Sequence, residues 1–240
     1  MGAMSAEREL LLQQICDSVF PIGAYSHSYG LETYIQLGLV HDSASAGEFI
    51  DRQIRFPLTY TELLGMRLAY DAAASGDLCA VADLEAELAA LKVPFETRSA
   101  SEKLAARFIR TVSSFGALAD DAARSFDAYV AGSGSQVVPM GAHAVCSAYG
   151  VFAALAGIDR VELLRRYLYT QVSGMVANCV KTVPLSQTAG QSLLFESAPL
   201  QVSTVARVLE ADRDLLGLSM PGFDVRCIEH ETLYSRLYMS

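Results

Sequence analysis

The sequence predicts an all-α protein that folds as a single compact domain of about ten helices. Apolar residues recur three and four positions apart along most of the chain, which is the period of one face of an α-helix. Stretches that alternate polar and apolar residues, as half-buried strands do, are short. Proline and glycine interrupt the pattern at short intervals, and no long linker separates two cores.

Four stripes of mostly apolar residues carry the helical prediction. The first consists of Leu11, Ile15 and Val19, spaced by four. The other three are Leu78, Val81, Glu85, Leu88 and Leu91; Leu104, Phe108, Val112 and Phe115; and Leu164, Leu168, Val172, Met175 and Cys179. Ser99 and Glu102 have the Ser-x-x-Glu spacing of a capping box. We therefore expect the helix of the Leu104 stripe to begin near Ser99.

Turn-forming residues divide the chain into short pieces. They lie at Pro21-Ile22-Gly23, Ser75-Gly76-Asp77, Val93-Pro94, Gly132 to Gly141, Ala156-Gly157, Val183-Pro184, Pro199 and Met220-Pro221-Gly222. We expect residues 1–9 to be an expression scar (Met1-Gly2-Ala3-Met4) and a flexible N-terminus, with no signal peptide. Residues 10–222 would form the helical domain, and residues 223–240 a C-terminal helix or tail that docks on a partner.

Composition favours an interaction protein of the cytoplasm. Of the 240 residues, 52% are hydrophobic and 19% are charged, and the mean hydropathy is +0.27; such a chain has apolar surface to cover in a subunit interface. The net charge of -9 argues against nucleic-acid binding and fits a basic partner protein better. No unbroken apolar run of ~20 residues predicts a membrane span. Five scattered cysteines without a Cys-x-x-Cys pair indicate neither a disulfide framework nor a zinc site.

Motifs for catalysis are absent from the sequence. It contains no P-loop, no His-Glu-x-x-His and no Gly-x-Ser-x-Gly. His143 and Cys146 are three apart, but two ligands make an incomplete metal site, and a buried structural pair is the better interpretation. His230, between two glutamates, would touch a metal weakly at most and is more typical of a solvated helix face. We therefore predict no catalytic residue, no cofactor and no enzyme activity, while direct metal binding stays open.

Lys181 is the only charge between Arg166 and Glu196. A lysine so isolated in apolar sequence either extends its ammonium group from a buried helix to water or pairs with a charge on another molecule. No catalytic group surrounds it in sequence. The residue therefore points to a binding surface.

The segment from Phe20 to Glu32 places Tyr25, His27 and Tyr29 at one turn. Tyrosine is favoured at interfaces because it buries a large area and keeps one hydrogen bond available. A well-packed turn with an internally bonded His27 explains the spacing equally simply. Both interpretations stay open, whereas a serine nucleophile beside His27 is disfavoured because adjacent residues do not face each other on a helix.

The C-terminal residues have an apolar character that is unusual for a chain end. Leu233 with Leu237, and Tyr234 with Tyr238, are four apart and predict an apolar helical face. Disordered tails are typically polar, so we expect this segment to dock. Its own core and another subunit are the alternatives.

Several motifs, taken in order, resemble one known family. They are Pro-Ile-Gly-Ala-Tyr-Ser-His-Ser-Tyr-Gly-Leu-Glu-Thr-Tyr (21–34), Tyr-Gly-Val-Phe-Ala-Ala (149–154), Asn-Cys-Val-Lys-Thr-Val-Pro-Leu-Ser-Gln (178–187), Gly-Gln (190–191) and His-Glu-Thr-Leu-Tyr-Ser-Arg-Leu-Tyr-Met-Ser (230–240). Together they resemble the UreF-type urease accessory proteins, most nearly the form found in Helicobacter. The resemblance runs from about Leu10 to Ser240 and is least specific between residues 78 and 99.

The resemblance implies a cytoplasmic, all-helical homodimer that scaffolds urease maturation. Proteins of this family bridge a UreH/UreD-type accessory protein and the GTPase UreG, and the complex delivers nickel to apo-urease. Nickel and urease enter through the resemblance alone. A generic helical dimerisation scaffold, or a GTPase regulator without a nickel role, is the alternative.

The resemblance also assigns roles to residues. Tyr25, Lys181 and Arg236 match positions that face the GTPase, and Arg165 and Tyr169 match positions near the dimer contact. The tail residues that would order against the UreH-type partner are Leu233, Tyr234, Leu237 and Tyr238. Many family members carry arginine where this chain has Lys181, and lysine lacks the bidentate guanidinium fork. The resemblance therefore implies an ion pair at Lys181 in preference to an arginine finger.

Overall fold

A computed structural model of the chain describes residues 4–132 and 142–239. Every regular element in these residues is helical and none is a strand, which confirms the predicted all-α domain. The helices are α1 Ala6–Ile15, α2 Leu31–Gln36, α3 Ser43–Gln53, α4 Leu64–Ala74, α5 Leu78–Leu91, α6 Phe95–Ser113, α7 Asp120–Val130, α8 Val145–Leu155, α9 Arg160–Thr182, α10 Gln187–Glu196, α11 Ala198–Glu210 and α12 Pro221–His230. The first three residues of the predicted scar, and positions 133–141 of the predicted break, lie outside the described residues.

Polar side chains at the N-caps explain where many of the helices begin. Such a side chain accepts a hydrogen bond from an amide of the first turn, which has no partner inside the helix. This bond is present at Ser5, Asp42, Asp77, Asp159 and Ser186, before α1, α3, α5, α9 and α10. The sequence therefore defines these helix starts locally.

The start of α6 differs from the prediction. Ser99 lies inside this helix, which begins at Phe95 after the extended residue Pro94, so the capping-box prediction was wrong. The backbone N–H of Phe95 donates to the carboxylate of Glu231, at 3.0 Å. A glutamate distant in sequence thus caps the helix one turn earlier than the local pattern indicates.

Two features give the core its shape. α4 and α8 are the most closely packed helix pair. Gly150 of α8 has no side chain, which allows this close approach: a Cβ there would lie 2.4 Å from the carbonyl oxygen of Met66 in α4. On the other side of α8, the rings of Phe108 and Tyr149 stack with centroids 3.9 Å apart. Residues 145–153 of α8 are all buried, so this helix is the centre of the domain.

A π-helical stretch, Ile54–Leu63, joins α3 to α4 without a break and contains Pro57. Proline has no N–H to donate, and the wider turn accommodates the missing bond. The stretch packs against α11, α3 and α9. Glu62, near its C-terminal end, is half-buried and pairs with Lys92.

The predicted stripes are confirmed within the helices and fail at two ends. The Leu164 stripe of α9 is buried throughout, as predicted. Val19 lies beyond the end of α1 and is 84% exposed, and Phe115 lies beyond the end of α6. The predicted apolar helical face of the C-terminal residues was wrong, because the last helix ends at His230 and residues 231–239 follow as turns.

The first helix begins at Ala6, within the segment 1–9 for which we expected flexibility. The side chain of Arg8 on this helix lies against Gly157, with its guanidinium carbon 3.0 Å from the position of a Cβ there. In the described part of the chain, no helix combines the length and the apolarity that crossing a membrane requires.

Candidate functional site

Residues 231–239, which we call the tail, fold back onto the start of the domain. The carboxylate of Glu32 in α2 accepts hydrogen bonds from the backbone N–H groups of Leu237 and Tyr238, at 2.8 and 3.0 Å. The N–H of Met239 donates to the carbonyl of Ser26, at 2.8 Å. Tyr238 is buried. The chain thus anchors its own tail, one of the two docking alternatives that the sequence left open.

A buried histidine, His230, contacts the Glu32 carboxylate that holds the tail. His230 has no exposed surface, so the expectation of a solvated helix face at this residue was wrong. Its Nδ1 lies 2.7 Å from a carboxylate oxygen of Glu96 in α6, and its Nε2 lies 3.1 Å from one of Glu32. Arg236 of the tail forms an ion pair with the same Glu96.

The structure brings the segments of Tyr25, Lys181 and Arg236 to one junction. The side-chain amide of Asn178, one turn before Lys181 in α9, donates to the carbonyl of His27, at 2.9 Å. Tyr25 belongs to the 3₁₀ turn Ala24–Ser26, to which the tail is also bonded. The side chain of Tyr25 is 74% exposed, and Lys181 is exposed in the last turn of α9.

The remaining tail residues differ in their exposure. Tyr234 is fully exposed and Leu237 is 79% exposed, whereas Leu233 is half-buried. Burial raises the pKa of the Tyr238 hydroxyl, and the charge of Glu32 adds to the shift. The buried residue fixes the tail while its neighbours present apolar surface to solvent.

The turn at His27 has the well-packed geometry that the simpler interpretation expected. Gly23 and Gly30 adopt left-handed backbone angles, with φ of 85° and 79°, which glycine reaches without strain. A Cβ on Gly30 would lie 2.9 Å from the sulfur of Cys227 in α12. His27 and Ser28 are buried, so they form part of the packing under the exposed ring of Tyr25.

Arg165 and Tyr169 lie together on α9, at a groove of about 380 Å³ between α9, α10 and α11. Large apolar side chains stand exposed along it, with Tyr169 at 52%, Phe195 at 81% and Val202 at 65%. Arg165 forms an ion pair with Glu162 on its own helix. The face is apolar at its centre with a charged edge, an arrangement typical of protein interfaces.

His143 and Cys146 are both buried, as the structural interpretation predicted. His143 precedes α8, and its Nδ1 lies 2.8 Å from a carboxylate oxygen of Glu85, whose other oxygen accepts from the hydroxyl of Tyr129. Burial alone lowers the pKa of His143, but the hydrogen bond and charge of Glu85 outweigh it and the pKa is raised. Among the described residues, no group of three or more His, Cys, Asp and Glu side chains is placed to hold a metal ion.

A partly open cavity of about 90 Å³ was not predicted from the sequence. Its lining includes Lys92, Glu62, Tyr29 and Gln171. The buried Lys92 forms an ion pair with the half-buried Glu62. Burial lowers the pKa of Lys92, and the carboxylate of Glu62 reverses the shift so that the pKa is raised. The second carboxylate oxygen of Glu62 has no protein partner. A cavity of this size has room for an ordered water, for which this oxygen would be one polar partner.

Glu32, Glu96 and His230 were missed as site residues. Glu32 lies within the motif of residues 21–34, and His230 begins the C-terminal motif, but nothing local shows that the two meet. They are separated by 198 positions. Only the folded chain reveals this contact.

Comparison with known proteins gives the family. The UreF family model matches residues 40–198. Urease accessory proteins UreF from Actinobacillus pleuropneumoniae serotype 3 (strain JL03) and serotype 5b (strain L20) are each 35% identical over 245 aligned residues, covering all of this chain and all of the relative. The likeness to Helicobacter forms stays a prediction. The chain belongs to the UreF family of urease accessory proteins.

Proposed function

We propose that the chain is a cytoplasmic chaperone of urease maturation that scaffolds a complex of a UreH/UreD-type protein and the GTPase UreG. In this complex nickel is cargo on its way to apo-urease. The observation that carries the proposal is the tail. Its backbone is fixed by Glu32, yet Tyr234 and Leu237 present apolar side chains to solvent, as a surface for another protein does.

The tail and the first helix are the proposed contacts with the UreH/UreD-type protein. Leu233, Tyr234 and Leu237 would bury their apolar area against it, and the buried Tyr238 would hold the segment in place. Aromatic side chains at the centre of such a contact contribute much of the binding energy. Truncation from Thr232 should therefore abolish this complex and leave the helical core folded.

The junction of Tyr25, Lys181 and Arg236 is the proposed surface for UreG. An exposed tyrosine next to cationic side chains suits an acidic or phosphate-bearing partner. Arg236 already forms an ion pair with Glu96, so the more readily available cation is Lys181. We assign it an ion pair with the GTPase, because lysine lacks the bidentate fork of an arginine finger.

The groove between α9, α10 and α11 is the proposed homodimer contact. Phe195, Val202 and Tyr169 would pack against a second copy, with Arg165 at the edge. Burying large apolar side chains such as these stabilises an interface by about 1.5–3 kcal/mol each before the cost of association. The groove and the tail are separate surfaces, so a dimer can form while each copy keeps its tail for another protein.

Light scattering on a sizing column tests the scaffold. The chain alone, with its UreH/UreD-type partner, and with nickel- and GTP-loaded UreG should give a dimer that grows into a stoichiometric assembly. Lys181→Ala should leave the dimer and the tail complex intact while it lowers urease activation and changes GTP turnover. Arg124→Ala removes an exposed cation on α7, outside every proposed contact, and serves as the matched control for this function. Unchanged activation and turnover with Lys181→Ala would refute the role of this lysine.

The two alternatives give different results in the same assays. A generic dimerisation scaffold would dimerise but would not change urease activity when it is removed. A GTPase regulator without a nickel role would alter GTP hydrolysis on mixing and leave the nickel content of urease unchanged. Failure to bind either partner would refute the proposed complex.

A further inference from the structure

One face of α6 carries three basic side chains in a row. Lys103, Arg107 and Arg110 are spaced by four and three residues, which places them on one side of a helix. All three are exposed. With a rise of about 1.5 Å per residue, they span roughly 10 Å. We call these three residues the basic stripe.

The chain itself does not neutralise the basic stripe. None of the ion pairs in the described residues includes one of its three members. The neighbouring Glu102 lines a different recess, beside His143. Arg107 donates to the carbonyl of Ile22, at 2.9 Å, a bond that leaves its charge in place. This face is therefore positively charged, although the protein as a whole has a net charge of -9.

A groove of about 370 Å³ adjoins the stripe, between α6 and the tail. Its lining includes Lys103, Phe95, Arg236 and Met239. Phe95 is 62% exposed and Met239 is 56% exposed. The groove therefore offers apolar side chains next to positive charge.

Besides burial, the positive charges of this region lower the pKa of the neighbouring His27. The pKa of His27, which also lines the groove, is lowered by burial and further by the charges of Arg107 and Lys103, against a smaller opposing effect of Glu96. The carboxylate of Glu96 is already paired with Arg236. Cations thus dominate the groove even though a glutamate lies in its wall.

We propose that the basic stripe and this groove receive an acidic, amphipathic segment of the UreH/UreD-type partner. Apolar side chains of the segment would lie between Phe95 and Met239, and its carboxylates would pair with Lys103 and Arg110. The inference rests on the proposed function and specifies the chemistry of its partner. It also gives the tail a second role, because Met239 and Arg236 form one wall of the groove.

Charge reversal tests the electrostatic part. The variant K103E/R110E removes two members of the stripe, and R52E/R124E, whose side chains are 67% and 72% exposed elsewhere, makes the same change in net charge. At about 50 mM salt, we expect the first variant to associate with the purified partner about tenfold more slowly than wild type, because complementary charges raise association rates. The difference should shrink at about 0.5 M salt, and the control variant should behave nearly as wild type.

The possible outcomes separate this inference from the proposed function. If wild type forms no complex with the UreH/UreD-type protein, the proposed function fails and this inference fails with it. If the complex forms but K103E/R110E associates no more slowly than R52E/R124E, the inference alone is refuted. Circular dichroism of both variants checks that their helices are retained.

Photo-crosslinking identifies the segment directly. Ala106 is exposed beside the stripe, so a benzoyl-phenylalanine placed there should react with the bound partner, and mass spectrometry would locate the crosslinked peptide. We expect a peptide with Asp or Glu three to four positions apart. A neutral or basic peptide at this position would overturn the proposal.

Discussion

The contact between Glu32 and the tail leads to the sharpest prediction. Glu32→Gln keeps the shape of the side chain but replaces one acceptor oxygen by an NH₂ group that faces a backbone N–H. One of the two bonds to Leu237 and Tyr238 is then lost, and the other changes from a charge-assisted to a neutral bond. Hydrogen bonds to charged groups contribute about 1.5–3 kcal/mol and neutral ones about 1 kcal/mol. We therefore expect local opening of the tail to become easier by about 2–5 kcal/mol.

Amide hydrogen exchange measures this change directly. At about 1.4 kcal/mol per factor of ten, the amides of Leu237 and Tyr238 should exchange roughly 30- to 4,000-fold faster in the variant, while amides of α8 keep their protection. Glu229→Gln is the matched control, because Glu229 pairs with Arg226 at the surface of α12. Equal protection of the tail amides in Glu32→Gln and wild type would show that Glu32 does not hold the tail.

The remaining predictions concern packing, assembly and pH. Gly150→Ala should destabilise the fold by about 2 kcal/mol or more in urea unfolding, because its Cβ would meet backbone, whereas Gly174→Ala, with open space around it, should be neutral or stabilising by up to about 1 kcal/mol. Phe195→Asp should shift the dimer to monomer on a sizing column without loss of helix content; an unchanged dimer contradicts the proposed contact. The raised pKa of His143 beside Glu85 means that the stability from this pair is present below about pH 6.5 and is lost as pH rises through the raised pKa. The difference in unfolding free energy between wild type and His143→Gln should therefore shrink from pH 6 towards pH 9, and a constant difference would contradict it.

The helices were predictable where local chemistry defines them. The Leu164 stripe of α9 and its N-cap Asp159 lie close together in sequence, and both are found as the periodicity and capping rules require. The start of α6 was not predictable, because its first N–H bonds to Glu231, more than a hundred positions away. Local patterns therefore determined the class of fold, whereas long-range polar contacts determined one helix boundary.

In the candidate site, too, local patterns predicted some features and long-range contacts determined others. The sequence predicted that Lys181 reaches a surface, and the structure has it exposed. Both follow from α9, which buries its apolar stripe and carries the lysine in its last turn. The recurrence of apolar residues every four positions predicted an apolar helical face for the tail. Instead, the backbone N–H groups of Leu237 and Tyr238 donate to Glu32 of α2 and not to carbonyls within the tail.

A tail held by side-chain bonds to the domain, and not by its own helix, has a mechanical consequence. Each backbone bond of Leu237, Tyr238 and Met239 can be broken without unfolding any helix, whereas a helical tail would have to unwind. The exposed apolar residues of the tail can thus move as a unit when a partner covers them. Because Arg236 and Glu96 join the tail to α6, such a movement would also alter the groove beside the basic stripe. The tail and the stripe are therefore one connected surface, and a partner that orders one is expected to change its contacts with the other.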